Sequence, residues 1–348
     1  MNARAGQGRI DRPAPQADHV HLPGMLGRRF LVFVDTEEEF DWSAPRRRDA
    51  TSTAAVAALP EAHRRLSGFG ICPTYLVDYP IASSPAAVDT LRPLQEAGEC
   101  AIGAQLHPWV NPPFDEPLTN ANSFVGNLPE QQERAKLAML TRCITDAFGR
   151  RPQVYRAGRY GIGPNSARLL EDAGYRMDVS VRSLFDYSDE GGPDFSRRDG
   201  VASWAGPGRL LLELPLTTVF TGYARRVGGP LYAAAGRVAR LRGLLARSGA
   251  LERIALTPEG TPLPDALRAI RTLLDDDARL ISISFHSPSV EPGHTPYVRD
   301  AEDLRRFYAW WDGVLDLLAR EGVRPIGADE LIAAAWKARD VGLRLATH

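Results

Sequence analysis

The chain has 348 residues, 44% of them hydrophobic, and a formal net charge of -1 at pH 7. This composition can supply a full core and argues against wholesale disorder. The near-zero charge argues against a nucleic-acid binder that depends on phosphate neutralisation. The cysteines, Cys72, Cys100 and Cys143, predict no disulfide framework or zinc knuckle, so a reducing, cytoplasmic location is expected. No apolar run approaches the roughly 18 residues that a membrane-spanning helix needs.

The start of the chain differs in composition from the rest. Residues 1–27 are rich in Arg, Pro, Gly and Gln and lack the apolar segment of a secretory signal. We therefore expect residues 1–27 to form a mobile N-terminal arm. Residues 28–348 contain no clear low-complexity linker and no repeat of fixed period, which favours a single domain.

Predicted strands and helices alternate along the chain. Strands are expected at residues 29–34, 71–77, 101–106, 154–156, 177–181, 210–214 and 280–285. Helices are expected at residues 53–67, 86–97, 129–148, 164–173, 231–246, 264–274, 301–320 and 329–339. Long loops are expected at residues 108–128 and 182–208. This alternation predicts an α/β fold with a largely parallel sheet.

Carboxylates and imidazoles follow three of the predicted strands. Asp35 and Glu37 come at the end of the first strand, His107 follows the third, and His286 follows the last. The carboxyl ends of parallel strands meet at one edge, where α/β enzymes build their sites. The pattern therefore predicts one shared site, while a solvated acidic turn and structural histidines remain alternatives.

Four segments resemble the sequence motifs of a known enzyme family. They are residues 35–42 (DTEEEFDW), 106–109 (LHPW), 155–161 (YRAGRYG) and 285–289 (FHSPS), in the order that the family has. On these motifs the chain resembles the polysaccharide deacetylases, the NodB-homology group of carbohydrate esterase family four, and within it the WalW-type branch. The resemblance covers about residues 29–330 and implies a distorted (β/α) barrel of about seven parallel strands.

The resemblance also implies a role for each matched residue. Asp35 would be the general base, oriented by Arg156, and His286 the general acid that protonates the leaving nitrogen. Glu37 and His107 would bind a divalent metal, expected to be zinc, that activates water and polarises the scissile carbonyl. Substrate contacts are expected from Trp42, Trp109, Arg159 and Tyr160, with core packing an equal alternative for the two tryptophans.

One position departs from the family pattern. The branch has a histidine where this chain has Gln105, and an amide oxygen is a much poorer zinc ligand than imidazole. Three outcomes follow: the metal binds weakly, another side chain such as His294 replaces the ligand, or hydrolysis has been lost. Of the other acids in the first motif, Glu38, Glu39 and Asp41, we expect some to pair with Arg156 or Arg159.

Together these features predict a metal-dependent hydrolase that removes an N-acetyl group from an amino sugar of a polysaccharide or glycoconjugate precursor. Two alternatives stay open: a catalytically impaired barrel that binds or regulates, and hydrolysis of another non-peptide C–N bond. The arginine-rich residues 223–253 predict either a solvated helix face or a cover over the barrel mouth that meets an anionic group.

Overall fold

Strands and helices alternate along most of the chain, as predicted. The computed structural model describes residues 8–238 and 240–346. Its strands are β1 (Arg29–Thr36), β2 (Thr74–Val77), β3 (Ala101–Leu106), β4 (Val154–Ala157), β5 (Met177–Asp178), β6 (Ser203–Ala205), β7 (Leu211–Glu213), β8 (Thr218–Thr221), β9 (Glu252–Ala255), β10 (Leu280–His286) and β11 (Arg324–Pro325). Its α-helices are α1 (Leu59–Ser67), α2 (Tyr79–Ser83), α3 (Pro85–Glu96), α4 (Glu130–Phe148), α5 (Ser166–Asp172), α6 (Gly228–Gly236), α7 (Leu241–Arg247), α8 (Leu263–Asp275), α9 (Ala301–Arg320) and α10 (Ala328–Ala346).

The main sheet is a curved, mostly parallel sheet with the strand order β10-β1-β2-β3-β4-β5-β7-β6. The seven strands from β10 to β7 are parallel, β6 is antiparallel to β7, and the short β11 pairs with β1. The sheet curls into a half-barrel flanked by helices. This arrangement confirms the predicted distorted (β/α) barrel of about seven parallel strands.

Side chains span the gap between the two ends of the parallel sheet. The amide of Thr217 donates to Ser282 Oγ, and the amide of Ser282 donates to Thr217 Oγ1, both at 2.8 Å. The amide of Ser284 donates to the carbonyl of Leu256 at 3.3 Å. Because Thr217 follows β7 and Ser282 lies in β10, these bonds draw the open edges of the barrel together.

The first strand is apolar on both faces because helices and the barrel interior cover both sides of a parallel sheet. Its residues 30–34 are at most 3% exposed. Helix α9 has the predicted bounds; it begins after Asp300, whose carboxylate accepts hydrogen bonds from two amides of the first turn. Phe307 and Trp311 of α9 pack on Phe285 of β10, with ring centroids 5.4 and 5.6 Å apart.

The segment from residue 218 to residue 255 differs from the prediction. The single helix predicted at residues 231–246 is two helices, α6 and α7, and Arg240 between them has a left-handed φ of 65°. The pair β8 and β9 was not predicted; these strands form an antiparallel ladder that brackets the two helices. β9 (Glu252–Ala255) places two charged residues in four, so its sequence lacks the apolar run of a buried strand.

Residues 8–27 are packed against the rest of the chain, which differs from the mobile arm predicted for residues 1–27. Ile10 is 1% exposed, and Asp18, 2% exposed, forms an ion pair of 2.7 Å with Arg209. His19 forms an isolated bridge with Ser203 in β6. Residues 1–7 lie outside the described part. Within the described chain, none of the helices combines the length and apolar character that crossing a membrane requires.

Candidate functional site

All ten residues predicted for the site line one cavity of about 390 Å³ at the carboxyl ends of the parallel strands. They are Asp35, Glu37, Trp42, Gln105, His107, Trp109, Arg156, Arg159, Tyr160 and His286. The sheet brings them together because β10, β1, β2, β3 and β4 are consecutive neighbours. Residues far apart in the sequence therefore end side by side, as the pattern of strand ends predicts.

Asp35 lies between a guanidinium and an imidazole. Arg156 Nη1 donates a hydrogen bond to Asp35 Oδ1, and both side chains are at most 2% exposed. Arg156 is itself held by its Nε, which donates to the carbonyl of Val179 at 3.1 Å. Asp35 Oδ2 is 3.6 Å from His286 Nε2, because the two residues are register partners in the β1–β10 ladder. One oxygen of the carboxylate is thus fixed by arginine while the other faces the imidazole.

His286 has a partner that the sequence did not reveal. Its Nδ1 lies 2.7 Å from Glu259 Oε2, and its backbone amide donates to Glu259 Oε1 at 3.0 Å. Burial lowers the pKa of His286, but the charges of Glu259, Glu37 and Asp35 outweigh it and raise the pKa to about 10. The imidazole is therefore protonated at neutral pH and presents an Nε2 proton to the cavity.

Glu259 was missed because its strand was missed. It follows β9, and it is 8% exposed. The only available signal was the segment Thr257-Pro258-Glu259-Gly260, where turn residues surround a single acid. Asp78, by contrast, directly follows the apolar strand β2 and has the same form as the predicted strand-end residues.

Glu37, Gln105 and His107 form a cluster of polar side chains in the same cavity. Gln105 Nε2 donates to Glu37 Oε2 at 3.2 Å, and His107 Nε2 lies 3.4 Å from the same oxygen. Glu37 Oε1 and Gln105 Oε1 are buried and accept no hydrogen bond from the described residues. Burial raises the pKa of Glu37 to about 7 and lowers that of His107.

The tautomer of His107 makes this cluster a candidate metal centre. Its Nδ1 is 2.7 Å from Glu38 Oε2, so we assign the ring proton to Nδ1 and the lone pair to Nε2. That lone pair faces the carboxylate of Glu37, and either a proton or a metal ion between the two acceptors would relieve their repulsion. The orphaned oxygens of Glu37 and Gln105 supply further ligand atoms of the type that divalent ions prefer. The residues therefore fit a divalent metal, with one imidazole fewer than the resemblance implies.

A second group of potential ligands lies behind this cluster. Glu38, Asp78 and His107 each offer a ligand atom within 4.8 Å of the others, and all three are buried. Glu38 is already engaged, because it also accepts from Trp109 Nε1 at 2.7 Å, and its amide donates to Asp78 Oδ2 at 2.8 Å. Glu38 and Asp78 do not line the cavity. We therefore assign them to holding His107 and Trp109 in place rather than to contact with a substrate.

Burial dominates the ionisation of these two acids. It raises the pKa of Glu38 to about 8 and the pKa of Asp78 well above its usual range. Asp78 also accepts from the amide of Ile81 at 2.8 Å and so begins helix α2. The acid that supports the site therefore also sets the start of a helix.

Two possibilities that the sequence raised do not occur among the described residues. His294 lies 3.1 Å from Glu39 in a separate cavity, so it is no substitute for the missing ligand. Glu39 otherwise accepts from Ser52 and the amide of Ala55. Neither Arg156 nor Arg159 pairs with Glu38, Glu39 or Asp41. Arg159 instead forms an ion pair with Glu190, and Asp41 accepts hydrogen bonds from Ser43.

The predicted substrate contacts differ in how accessible they are. Trp42 is partly exposed and meets His286 edge-on, with ring centroids 4.8 Å apart. Trp109 is 1% exposed and stacks on His107 at 4.3 Å, so most of its surface is covered. Arg159 and Tyr160 both have left-handed backbone, with φ of 55° and 60°, which turns the chain sharply after β4.

The basic segment does not cover the cavity. No arginine between residues 223 and 253 is among the residues that line it. Arg225 pairs with Asp276, and Arg253 stacks on Phe185 at 3.6 Å while donating to the carbonyl of Leu184. Of the two alternatives for this segment, a cover over the barrel mouth is therefore not supported by the described residues.

Comparison with known proteins reveals the fold but little sequence similarity. No protein-family model matches the chain, and no curated protein gives a significant match. A proposed polysaccharide deacetylase from Mycobacterium smegmatis superposes with a TM-score of 0.50 at 18% identity, over 94% of this chain and 96% of that one. PuuE allantoinase superposes with a TM-score of 0.51 at 18% identity, over 92% and 93% of the two chains. At this level of identity the similarity establishes a shared fold.

Proposed function

We propose that the protein is a metal-dependent hydrolase that removes an N-acetyl group from an amino sugar of a polysaccharide or glycoconjugate precursor. The observation that carries the proposal is that one cavity contains Asp35 beside His286 together with the Glu37–His107 cluster. A base, a protonated imidazole and a candidate metal centre are the groups that amide hydrolysis needs. The fold shared with a proposed polysaccharide deacetylase supports the same reading.

The chain supplies both proton transfers of this reaction. Asp35 takes a proton from the attacking water, and Arg156 fixes the carboxylate through its other oxygen. His286 then donates its Nε2 proton to the departing amine, with Glu259 holding the ring through Nδ1. A divalent ion held by Glu37, His107 and Gln105 would polarise the acetamide carbonyl and lower the pKa of water.

Replacement of the base tests the proposal. Asp35→Asn keeps the shape of the side chain but cannot accept the proton, so acetate release should fall by about 10²–10⁴-fold. Acetate released from N-acetylglucosamine oligomers would be measured with zinc added, and circular dichroism would check the fold. Ser43→Ala, outside the cavity, is the control. Activity of Asp35→Asn within a few fold of the wild type would remove Asp35 from the mechanism.

A binding or regulatory role is the second candidate, and Gln105 favours it. If the wild type binds no divalent metal and releases no acetate, the barrel acts by binding alone. Hydrolysis of another C–N bond is a third candidate, because the same fold is found in an allantoinase. It would be indicated by metal binding and by hydrolysis of a cyclic ureide but not of an acetamide. The cytoplasmic location remains a prediction from the sequence.

A further inference from the structure

Two arginines line the candidate site without a carboxylate partner. Four arginines line the cavity, and two of them, Arg156 and Arg159, each form an ion pair. Arg46 and Arg182 have no carboxylate oxygen within 4.0 Å among the residues that the structure describes. Neither was singled out by the sequence motifs. They are the two arginines of the cavity that form no ion pair with a described residue.

The carboxylates of the cavity are already engaged. Asp35 and Glu190 are bound by the two paired arginines, and Glu259 is bound by His286. The remaining one, Glu37, faces Gln105 and the metal-binding nitrogen of His107. Among the described residues, no acid of the cavity is therefore in direct contact with Arg46 or Arg182. Glu37 and Glu190 attract Arg46 only from beyond ion-pair distance, and a bound metal would add positive charge.

Aromatic rings, rather than acids, hold Arg46 in place. Its guanidinium lies 4.7 Å from the ring centre of Phe40 and 5.3 Å from that of Trp109. Its Nε is buried and has no hydrogen-bond partner in the described chain. Burial lowers the pKa of Arg46 from its ordinary value, which reflects a charge held partly away from water. Burying an unpartnered donor is unfavourable, so a ligand that accepts its hydrogen bonds is the natural complement.

Arg182 is held in the same manner on the Tyr160 side of the cavity. Its guanidinium lies 4.0 Å from the ring centre of Phe185 and 5.3 Å from that of Tyr160. Its Nη1 donates to Tyr187 Oη at 3.3 Å, a long hydrogen bond to a neutral group. An arginine has five N–H donors, so most of this donor capacity is available to the cavity.

We propose that the substrate carries anionic groups, carboxylate or phosphate, which Arg46 and Arg182 bind. A planar guanidinium matches both groups with paired hydrogen bonds, and stacking on aromatic rings orients it before the ligand arrives. The proposal rests on the proposed function for the sugar part of the substrate only. A neutral N-acetyl sugar would leave both arginines without a directly bound anion, whereas an acidic or phosphorylated sugar would supply one.

Calorimetric titration with three probes tests the proposal without requiring turnover. The probes are N-acetylglucosamine, N-acetylmuramic acid, which adds a carboxylate, and N-acetylglucosamine 1-phosphate. We expect at least one charged probe to bind about tenfold or more tightly than the neutral sugar, as expected for charge-assisted hydrogen bonds. The tighter of the two charged probes identifies which anion the site takes.

Variants assign the effect to the two arginines. Arg46→Gln and Arg182→Gln should each reduce the preference for the charged probe by at least about fivefold. Arg176→Gln is the matched control, because Arg176 also stacks on an indole, that of Trp336 at 5.1 Å, but lies outside the cavity. Arg46→Lys and Arg182→Lys, which keep the charge, should retain part of the preference.

Equal binding of charged and neutral probes would overturn the proposal, as would an unchanged preference in both glutamine variants. If a glutamine variant does not fold, the salt dependence of the wild type decides: affinity for the charged probe must fall with salt, and a flat response overturns the proposal. Acetate release is measured separately. A preference for anions without acetate release would refute the proposed function and leave the anion site standing.

Discussion

Each acid of the first motif has a different partner, and that partner decides what the acid can do. One carboxylate oxygen of Asp35 contacts Arg156 and the other faces His286. Both carboxylate oxygens of Glu38 are instead in hydrogen bonds, with His107 and Trp109, behind the cavity. Glu37 keeps one buried oxygen that has no hydrogen-bond partner in the described part of the chain. These contacts match the roles that we propose for the three acids: base for Asp35, support for Glu38 and metal ligand for Glu37.

Gln105 is the poorest ligand of the candidate metal centre, and a histidine at this position should raise the metal affinity. Gln105 shares Glu37 Oε2 with His107, so an imidazole at this position would reach the same ion. We expect Gln105→His to raise zinc affinity at least about tenfold, since it supplies the third protein ligand usual in open catalytic sites. Calorimetric zinc titration of both forms measures the change.

The matched control for this prediction is Gln95→His, which places a new histidine away from the cavity. Tight stoichiometric zinc in the wild type would show that Glu37 and His107 suffice with another ligand. An unchanged affinity in Gln105→His would show that the centre has lost more than one ligand, and the binding role would then lead.

The charge of Glu259 should set the alkaline limit of activity. The pKa of His286 is raised to about 10 in the folded protein, above the ordinary 6.5, so the acid form persists until the pH rises through that value. Glu259→Gln removes a raising charge, and the alkaline limb of the kcat/KM profile should move to lower pH by at least about one unit. The profile with added zinc measures it, and Glu291→Gln is the control. An unmoved limb would contradict the role of Glu259.

At this scale the sequence revealed the residues but not their contacts. Asp35, His107 and His286 could be predicted because each stands at the end of an apolar strand, a pattern that is visible in the sequence itself. The Glu259–His286 contact joins residues 27 positions apart across a loop and two elements, and no local pattern marks it. Arg46 lies in a loop that only the folded chain brings over Trp109.

The loop after β3 is held in place by one buried cation. Lys136 of helix α4 is 0% exposed, and its Nζ donates to the carbonyls of Pro108, Asn111 and Pro113. It also forms an ion pair of 3.0 Å with Glu116. Because this loop begins at His107, the lysine connects a helix on the outside of the barrel to the candidate metal centre.

Removing that cation should loosen the loop and the site together. Lys136→Met leaves the buried Glu116 with only the more distant guanidinium of Arg48, 4.0 Å away. The free energy of unfolding should therefore fall by up to about 3–5 kcal/mol. Urea unfolding measures the loss, and zinc titration measures the effect on His107. The chain offers one matched control, the exposed Lys337→Met. A loss below about 1 kcal/mol would show that the carbonyls find other donors.

Elements with strong local signals were predicted well. Helix α9 and strand β3 have the predicted bounds because apolar periodicity, a capping Asp300 and a following histidine mark them. The pair β8 and β9 was missed because their stability comes from pairing with each other, not from local composition. The helix predicted at residues 231–246 breaks where the backbone of Arg240 turns left-handed.

Several acids outside the candidate site are also buried. Glu133 accepts from Ser166 Oγ at 2.5 Å, and burial raises its pKa to about 7. Burial also raises the pKa of Asp178 and raises that of Glu213 well above its usual range. Each of these acids binds a proton more tightly in the folded than in the unfolded chain.

Stability should therefore fall as the pH rises. The contribution of Glu133 is fully present below its unfolded pKa and is lost as the pH passes through about 7. We expect the metal-free protein to be less stable at pH 8 than at pH 5 by on the order of 1–3 kcal/mol. Urea unfolding at both values measures it. Glu133→Gln should reduce the difference, whereas the exposed Glu130→Gln should not, and greater stability at pH 8 would contradict the prediction.

The ladder between β1 and β10 has a consequence for how the chain selects its native state. Residues 30–34 are apolar on both faces, so sliding β1 by one residue would change hydrophobic burial very little. Such a slip would, however, separate Asp35 from Arg156 and leave a guanidinium buried alone, at a penalty of about 3–5 kcal/mol. The Asp35–Arg156 ion pair thus also specifies the register of β1. It disfavours misregistered folds that the apolar residues of this strand alone would tolerate.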